Sequence, residues 1–115
     1  MNKCVFCEIS KGNIPSKKIF ENQNFFVIED IHPVSKGHCL VVSKKHFETI
    51  LDFPLELSED LIQVLKSQSK RLIDSGLADG VKIVQNNFSA AGQTVNHIHF
   101  HLIPEKNGLK RESFV

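Results

Sequence analysis

The run His97-Ile98-His99-Phe100-His101-Leu102-Ile103 alternates imidazole and apolar side chains. Side chains of a β-strand point to opposite faces in turn. The run therefore reads as a strand with His97, His99 and His101 on one face. Ile98, Phe100 and Leu102 occupy the other face and pack into a core. Histidines two residues apart on a strand are about 6.6 Å apart, close enough to converge on one phosphate-sized group. With six histidines in 115 residues, chance supplies roughly 0.02 such alternations.

Three imidazoles on one face suit chemistry at phosphorus. Neutral imidazole is a good nucleophile near neutral pH, because its reference pKa is about 6.5. The phosphoramidate it forms is labile, so one hard step becomes two easier ones. A neighbouring imidazolium stabilises charge on the phosphate and protonates a leaving group. His-x-His on a strand is also a metal-ligand pattern. A catalytic metal site of that kind needs further ligands downstream, and the residues after Ile103 contain no His, Asp or Cys. No Gly-x-Ser-x-Gly elbow or phosphate-binding Gly-rich loop competes with the histidines.

Working outward, the chain reads as α+β. A short helix is expected over Phe6–Ser10. Ile19–Glu21 and Phe25–Glu29 read as strands around the turn Asn22-Gln23-Asn24. His38–Ser43 reads as a buried strand. A long helix starts near Ser58, the expected N-cap, with Glu59 and Asp60 at its positive end. Leu61, Leu65 and Leu72, with Ile62 and Ile73, form its apolar stripe, and Gly76 is the expected stop. Val81–Gln85 and Ile98–Ile103 are further strands, the last stopped by Pro104.

The composition fits a single domain over residues 1–115, with 41% hydrophobic residues. A net charge of +1 argues against a nucleic-acid binder. No apolar run approaches the roughly 18 residues needed to span a bilayer, and the N-terminus lacks the apolar core of a signal peptide. A cytoplasmic protein with no membrane partner is the expectation. Three cysteines do not suggest a disulfide framework.

His97–Ile103 fits all seven positions of the signature His-φ-His-φ-His-φ-φ (φ apolar), and the chain resembles the histidine-triad (HIT) family. Asn86-Asn87 and Ala91-Gly92-Gln93-Thr94-Val95 are similar to that family's lead into its triad. So are Cys4-Val5-Phe6-Cys7, Ile14-Pro15-Ser16, Asp30-Ile31, Lys36-Gly37-His38 and Lys44-Lys45-His46. The resemblance covers residues 4 to 104. It implies a five-stranded antiparallel sheet with one long helix and a short N-terminal helix. It also implies a homodimer that joins two sheets.

The resemblance further implies roles. His99 is the nucleophile on the α-phosphorus of a purine nucleotide and carries a transient nucleotidyl group. His101 contacts the phosphate and helps the leaving group. His38 orients the triad from behind. Asn86, Gly92, Gln93 and Thr94 supply phosphate donors, and Gly92 allows close backbone approach. Asp30 accepts from ribose hydroxyls, and Ile28 and Ile31 line the base pocket. In some bacterial relatives of this type, residues matching Cys4, Cys7, His46 and His97 bind structural zinc, a closed Cys2His2 set. Cys39 reads as plain core, and no organic cofactor is implied. The expected activity is hydrolysis or transfer on nucleoside phosphoramidates or dinucleoside polyphosphates. The alternative is a non-catalytic nucleotide-binding module that works through partners.

Five positions depart from the family pattern. Phe88 stands where glycine is frequent. Asn96 replaces a bulky residue, and Ile28-Glu29 differs from the pair common before the aspartate. Glu105 replaces an arginine found in many bacterial relatives, and a carboxylate pointing inward would repel phosphate.

Overall fold

Phe25–Ile28 and Cys39–Val42 are continuous apolar runs, as expected of strands covered on both faces. The computed structural model, which describes residues 4–108, shows why. β2 (Phe25–Glu29) and β3 (Cys39–Ser43) lie inside one five-stranded antiparallel sheet with β1 (Lys18–Glu21), β4 (Gly80–Val84) and β5 (His99–Glu105). The strand order is β1-β2-β3-β5-β4. On one face Phe25, Val27, Cys39, Val41, Phe100 and Leu102 pack against the long helix α2 (Ser58–Asp74). On the other face Phe26, Ile28, Leu40 and Val42 meet Phe6 and Ile9 of the short helix α1 (Val5–Ser10). Burying one such side chain contributes about 1.5–3 kcal/mol.

The register sets the histidines. Val42 pairs with His99 and Leu40 with His101, so both imidazoles stand on the α1 face. β5 starts at His99, and His97 precedes the regular strand. The expectation that Pro104 ends the strand is corrected: Pro104 is paired with Val81 and the strand runs to Glu105. Pairing with β3 has ended by Leu102. The Pro104 carbonyl accepts instead from the Ser35 hydroxyl at 2.7 Å. The absent N–H therefore faces a stretch with no ladder partner, where proline costs nothing.

Two helix details also differ from expectation. A 3-10 turn over Leu55–Leu57 feeds directly into α2, so Leu57 occupies the N-cap position and no side chain caps the helix. Ser58 is already helical. The buried stripe is Leu61, Val64, Leu65, Gln68 and Leu72, whereas Ile62 and Ile73 are about half exposed. Gly76 follows the helix with φ +83°, as a C-terminal stop should. No helix of the described residues is long and apolar enough to cross a membrane.

Gly37, just before His38, has φ +94°, and a Cβ there would lie 3.1 Å from Leu77 Cδ1 and 3.3 Å from Leu72 Cδ2 and Pro104 Cγ. Left-handed backbone costs a residue with a Cβ about 1–2 kcal/mol, and this site adds crowding from the core. Gly37→Ala is expected to lower stability by at least about 1 kcal/mol, read as a lower urea midpoint. An unchanged midpoint would show that the turn relaxes freely.

Candidate functional site

A cleft of about 400 Å³ opens on the α1 face of the sheet. Phe6, Ile9, Ile14, Ile28, Ile31, Leu40 and Val95 give it apolar walls; Asp30, Thr94, His99 and His101 bring polar atoms to it. This size and mix suit a small ligand with one flat apolar part and one polar part. Among the described residues, no Lys or Arg lines it. An anion there meets hydrogen-bond donors and imidazoles beside the carboxylates of Glu29 and Asp30.

The fold dictates which nitrogen of each imidazole carries a proton. His99 Nδ1 lies 2.7 Å from the His97 carbonyl oxygen. A carbonyl only accepts, so Nδ1–H donates and Nε2 of the neutral ring keeps its lone pair. His38 shows the opposite arrangement: the Val34 N–H donates to its Nδ1 at 3.0 Å. The neutral His38 ring thus carries its proton on Nε2, which lies 3.0 Å from His101 Nδ1. His101 Nδ1 then accepts, and its own proton sits on Nε2. His101 stays neutral because burial, with repulsion from His99 and His38, pushes its pKa down to about 4 against the pull of Asp30. The result is one lone pair, on His99, beside one donor, on His101, with ring centroids 5.2 Å apart.

Asp30 is tied into this chain. One carboxylate oxygen accepts from the His32 N–H at 2.8 Å. The other lies 3.4 Å from His38 Nε2 and 3.7 Å from His101 Nδ1. Asp30, His38 and His101 offer three possible metal donors within 4.8 Å of one another. His38 is a poor ligand there, since its Nε2 bears the proton that the Val34 bond excludes from Nδ1.

The loop before β5 carries the remaining expected residues. Asn86 and Thr94 make no side-chain hydrogen bond among the described residues and stay available to a ligand. The Gln93 carboxamide is engaged instead. Its oxygen accepts from the Phe88 N–H at 2.6 Å and its nitrogen donates to the Glu48 carbonyl at 2.7 Å. Gln93 ties the loop rather than presenting its amide. That tie holds Phe88 at φ 73°, ψ 158°, a conformation costly for a residue with a side chain. Gly92 has φ +92°, and a Cβ there would meet only Asn86 Nδ2, at 3.8 Å. Backbone conformation, not crowding, asks for glycine at that point. Glu105 does not line the cleft; its carboxylate lies 3.8 Å from the Lys82 ammonium.

Cys4, Cys7, His46 and His97 come together beside the cleft. His97 is fully buried. Its Nε2–H donates to the Ser43 carbonyl at 2.7 Å, which leaves the Nδ1 lone pair facing the cluster. Burial pushes its pKa down to about 4, so it stays neutral. From His97 Nδ1, Cys4 Sγ is at 3.2 Å, Cys7 Sγ at 3.5 Å and His46 Nδ1 at 3.2 Å; Cys7 Sγ and His46 Nδ1 are 3.3 Å apart. Tetrahedral bonds of about 2.0–2.3 Å imply donor separations of roughly 3.3–3.8 Å. The donor set and spacing fit a tetrahedral metal. Without a cation, burial and the neighbouring Cys4 thiol hold Cys7 up at about 11. A backbone carbonyl that takes the far N–H of a histidine, as Ser43 does for His97, is the usual support for a metal-binding imidazole.

Sequence reasoning did not find Phe6, Val34 or Ser43. Phe6 meets the His99 and His97 rings edge to face. Its only sequence signal is its place between the two cysteines. Val34 and Ser43 act through backbone atoms, which no side-chain pattern encodes.

Comparison with known proteins agrees with the geometry. A model of the HIT domain matches residues 11–108. An uncharacterized HIT-like protein of Methanocaldococcus jannaschii is 43% identical over 91% of this chain and 81% of its own. The adenosine 5'-monophosphoramidase HNT1 of Saccharomyces cerevisiae is 39% identical over 92% of this chain and 66% of its own. A Zn-bound histidine triad family protein from Mycobacterium smegmatis superposes with a TM-score of 0.88 at 42% identity, covering 96% of this chain and 80% of that one. With the fold, the histidine strand and most of the chain matched, the protein belongs to the HIT family.

Proposed function

We propose that the protein is a nucleotide hydrolase or transferase that cleaves a bond at the α-phosphate of a purine nucleotide through a nucleotidyl group on His99 Nε2. The observation that carries this reading is the fixed tautomer pair: a lone pair on His99 Nε2 beside the Nε2–H of His101, at the floor of an apolar cleft. Nε2 attacks phosphorus, the His99–phosphorus bond forms, and the bond to the leaving group breaks. His101 Nε2–H passes its proton to the departing atom, and His38 holds His101 in the tautomer that allows this. Water then gives a proton back to His101 and its oxygen to phosphorus, which breaks the His99–phosphorus bond and frees the nucleoside monophosphate. Asn86, Thr94 and the backbone at Gly92 hold phosphate oxygens; Gln93 shapes the loop that presents them. Asp30 lines the same cleft and is the proposed acceptor for ribose hydroxyls, and Ile28 and Ile31 flank the base. The yeast relative's name supports a nucleoside phosphoramidate as substrate over a dinucleoside polyphosphate.

Zinc is the metal proposed for Cys4, Cys7, His46 and His97, supported by the donor spacing and by the Zn-bound mycobacterial relative. It is structural: two thiolates and two imidazoles close a tetrahedron and add binding energy to folding. A homodimer is proposed through β4. That strand is a sheet edge, and its Ile83 is half exposed.

Three measurements test this reading. His99→Ala is expected to lower phosphoramidate turnover at least about a thousandfold, and wild-type protein quenched in alkaline detergent should carry an alkali-stable, acid-labile nucleotidyl label. Equal rates in the two proteins would sink the catalytic assignment in favour of a binding module. Native mass spectrometry of protein purified without chelators should show a dimer with one zinc per chain; a metal-free species or a monomer at micromolar concentration overturns the corresponding half. Stability should fall as pH drops from about 6.5 toward 4. In that window the unfolded His101 binds a proton and the folded one, held down at about 4, does not. His101→Gln is expected to make the fall shallower, and an equally steep fall would exclude His101 as its source.

A further inference from the structure

We propose that Phe6 is a positioning residue for the His99 ring and that the metal-binding cysteines flanking it lock it in place, so that metal and nucleotide bind cooperatively. The inference rests on the nucleotide reading of the His99 cleft and on metal binding by the Cys2His2 cluster.

Helix α1 has six residues, too few to be stable alone. Two attachments hold it. Phe6 and Ile9 are buried against Phe26, Ile28, Leu40 and Val42. Cys4 and Cys7 reach the buried His97 through their sulfurs. Phe6 sits between those cysteines in sequence, so its backbone cannot shift without moving them, and burial confines its ring. Cys4 Sγ also accepts from the Cys7 N–H at 3.4 Å, which ties the first turn to the same sulfur.

Phe6 in turn touches the chemistry. Its ring meets His99 edge to face, with centroids 5.1 Å apart and planes at 65°, and meets His97 at 5.6 Å and 83°. The hydrogen bond from His99 Nδ1 to the His97 carbonyl fixes one ring atom but leaves the ring free to swing about it. The Phe6 ring blocks that swing and sets the direction of the Nε2 lone pair. The same side chain forms part of the cleft wall. A metal that clamps Cys4 and Cys7 onto His46 and His97 therefore orders both the nucleophile and the base pocket. Coupling between two binding sites is reciprocal. Nucleotide seated against Phe6 must strengthen metal binding by the same factor.

The test uses the zinc-loaded chain and the same chain stripped by chelator under reducing conditions. AMP affinity is measured by calorimetry, and zinc affinity by competition with a chromophoric chelator. Loaded protein is expected to bind AMP at least about fivefold more tightly, and saturating AMP to tighten zinc by the same factor, within the usual range of coupling between sites. Equal AMP affinities in two forms that both bind it overturn this inference alone. Loss of AMP binding by the loaded chain overturns the nucleotide reading with it, and failure to load zinc overturns the metal reading with it. Should stripping unfold the chain, the loaded protein still gives the answer. Phe6→Leu keeps the apolar bulk that docks α1 but loses the flat ring. It is expected to shift and broaden the His99 ring NMR signals and to lower kcat more than it raises KM. Ile14→Ala, a change in the same cleft wall, should leave those signals in place. Unchanged His99 signals in Phe6→Leu overturn the positioning role.

Discussion

Backbone groups decide which nitrogen of each imidazole is reactive. The His97 carbonyl takes the Nδ1 proton of His99, the Ser43 carbonyl takes the Nε2 proton of His97, and the Val34 N–H occupies Nδ1 of His38. A histidine side chain alone is ambiguous, since either nitrogen can carry the proton. Three backbone bonds remove the ambiguity. They leave His99 with a lone pair in the cleft, His97 with a lone pair toward the cysteines, and His38 with a proton for His101. The chemistry proposed for the cleft and the donor set proposed for a metal both follow from these bonds.

This arrangement also separates three histidines that share a pattern. His99 and His101 stand on β5, opposite Val42 and Leu40. His97 lies before the strand, where its backbone can bend toward Phe47, whose carbonyl accepts from Ile98 N–H at 2.7 Å. That detour carries the His97 ring to the cysteines while its carbonyl remains beside His99. A buried imidazole with unmet polar atoms would cost about 1–3 kcal/mol. His97 has Ser43 on one nitrogen and the cysteine and His46 donors around the other, so the burial is compensated.

Much of this was legible in the sequence because it depends on side-chain period. Phe25–Ile28, Cys39–Val42 and the Phe100/Leu102 alternation encode sheet faces directly, and the long helix shows in its leucines. What was not legible depends on backbone. Pro104 looks like a strand stop, yet the neighbouring ladder has already ended beside it. Ser58 looks like a cap, yet the preceding turn winds straight into the helix. Gln93 looks like a phosphate donor by type, yet its two amide ends match a loop N–H and a Glu48 carbonyl that only the folded chain brings near. The Cys2His2 cluster was legible only through resemblance, because its four side chains lie on three separate segments with no local period.

The charge of the cleft has its own logic. Asp30 is an anion in the cleft proposed to take a nucleotide, and no Lys or Arg lines the walls among the described residues. The Asp30 carboxylate is turned instead toward His38 and His101 and takes the His32 N–H. Of the two rings, its charge lies nearer the Nε2–H of His38. Burial keeps His101 neutral at ordinary pH, so the ring offers a hydrogen bond without a full positive charge. On the proposed function, phosphate in such a site would be held by direction more than by Coulomb attraction. Hydrogen bonds of fixed geometry would favour the in-line approach of His99 Nε2, whereas a free ammonium would attract phosphate in any orientation. The tautomers set by the backbone would then govern how the ligand sits as well as which atom attacks it.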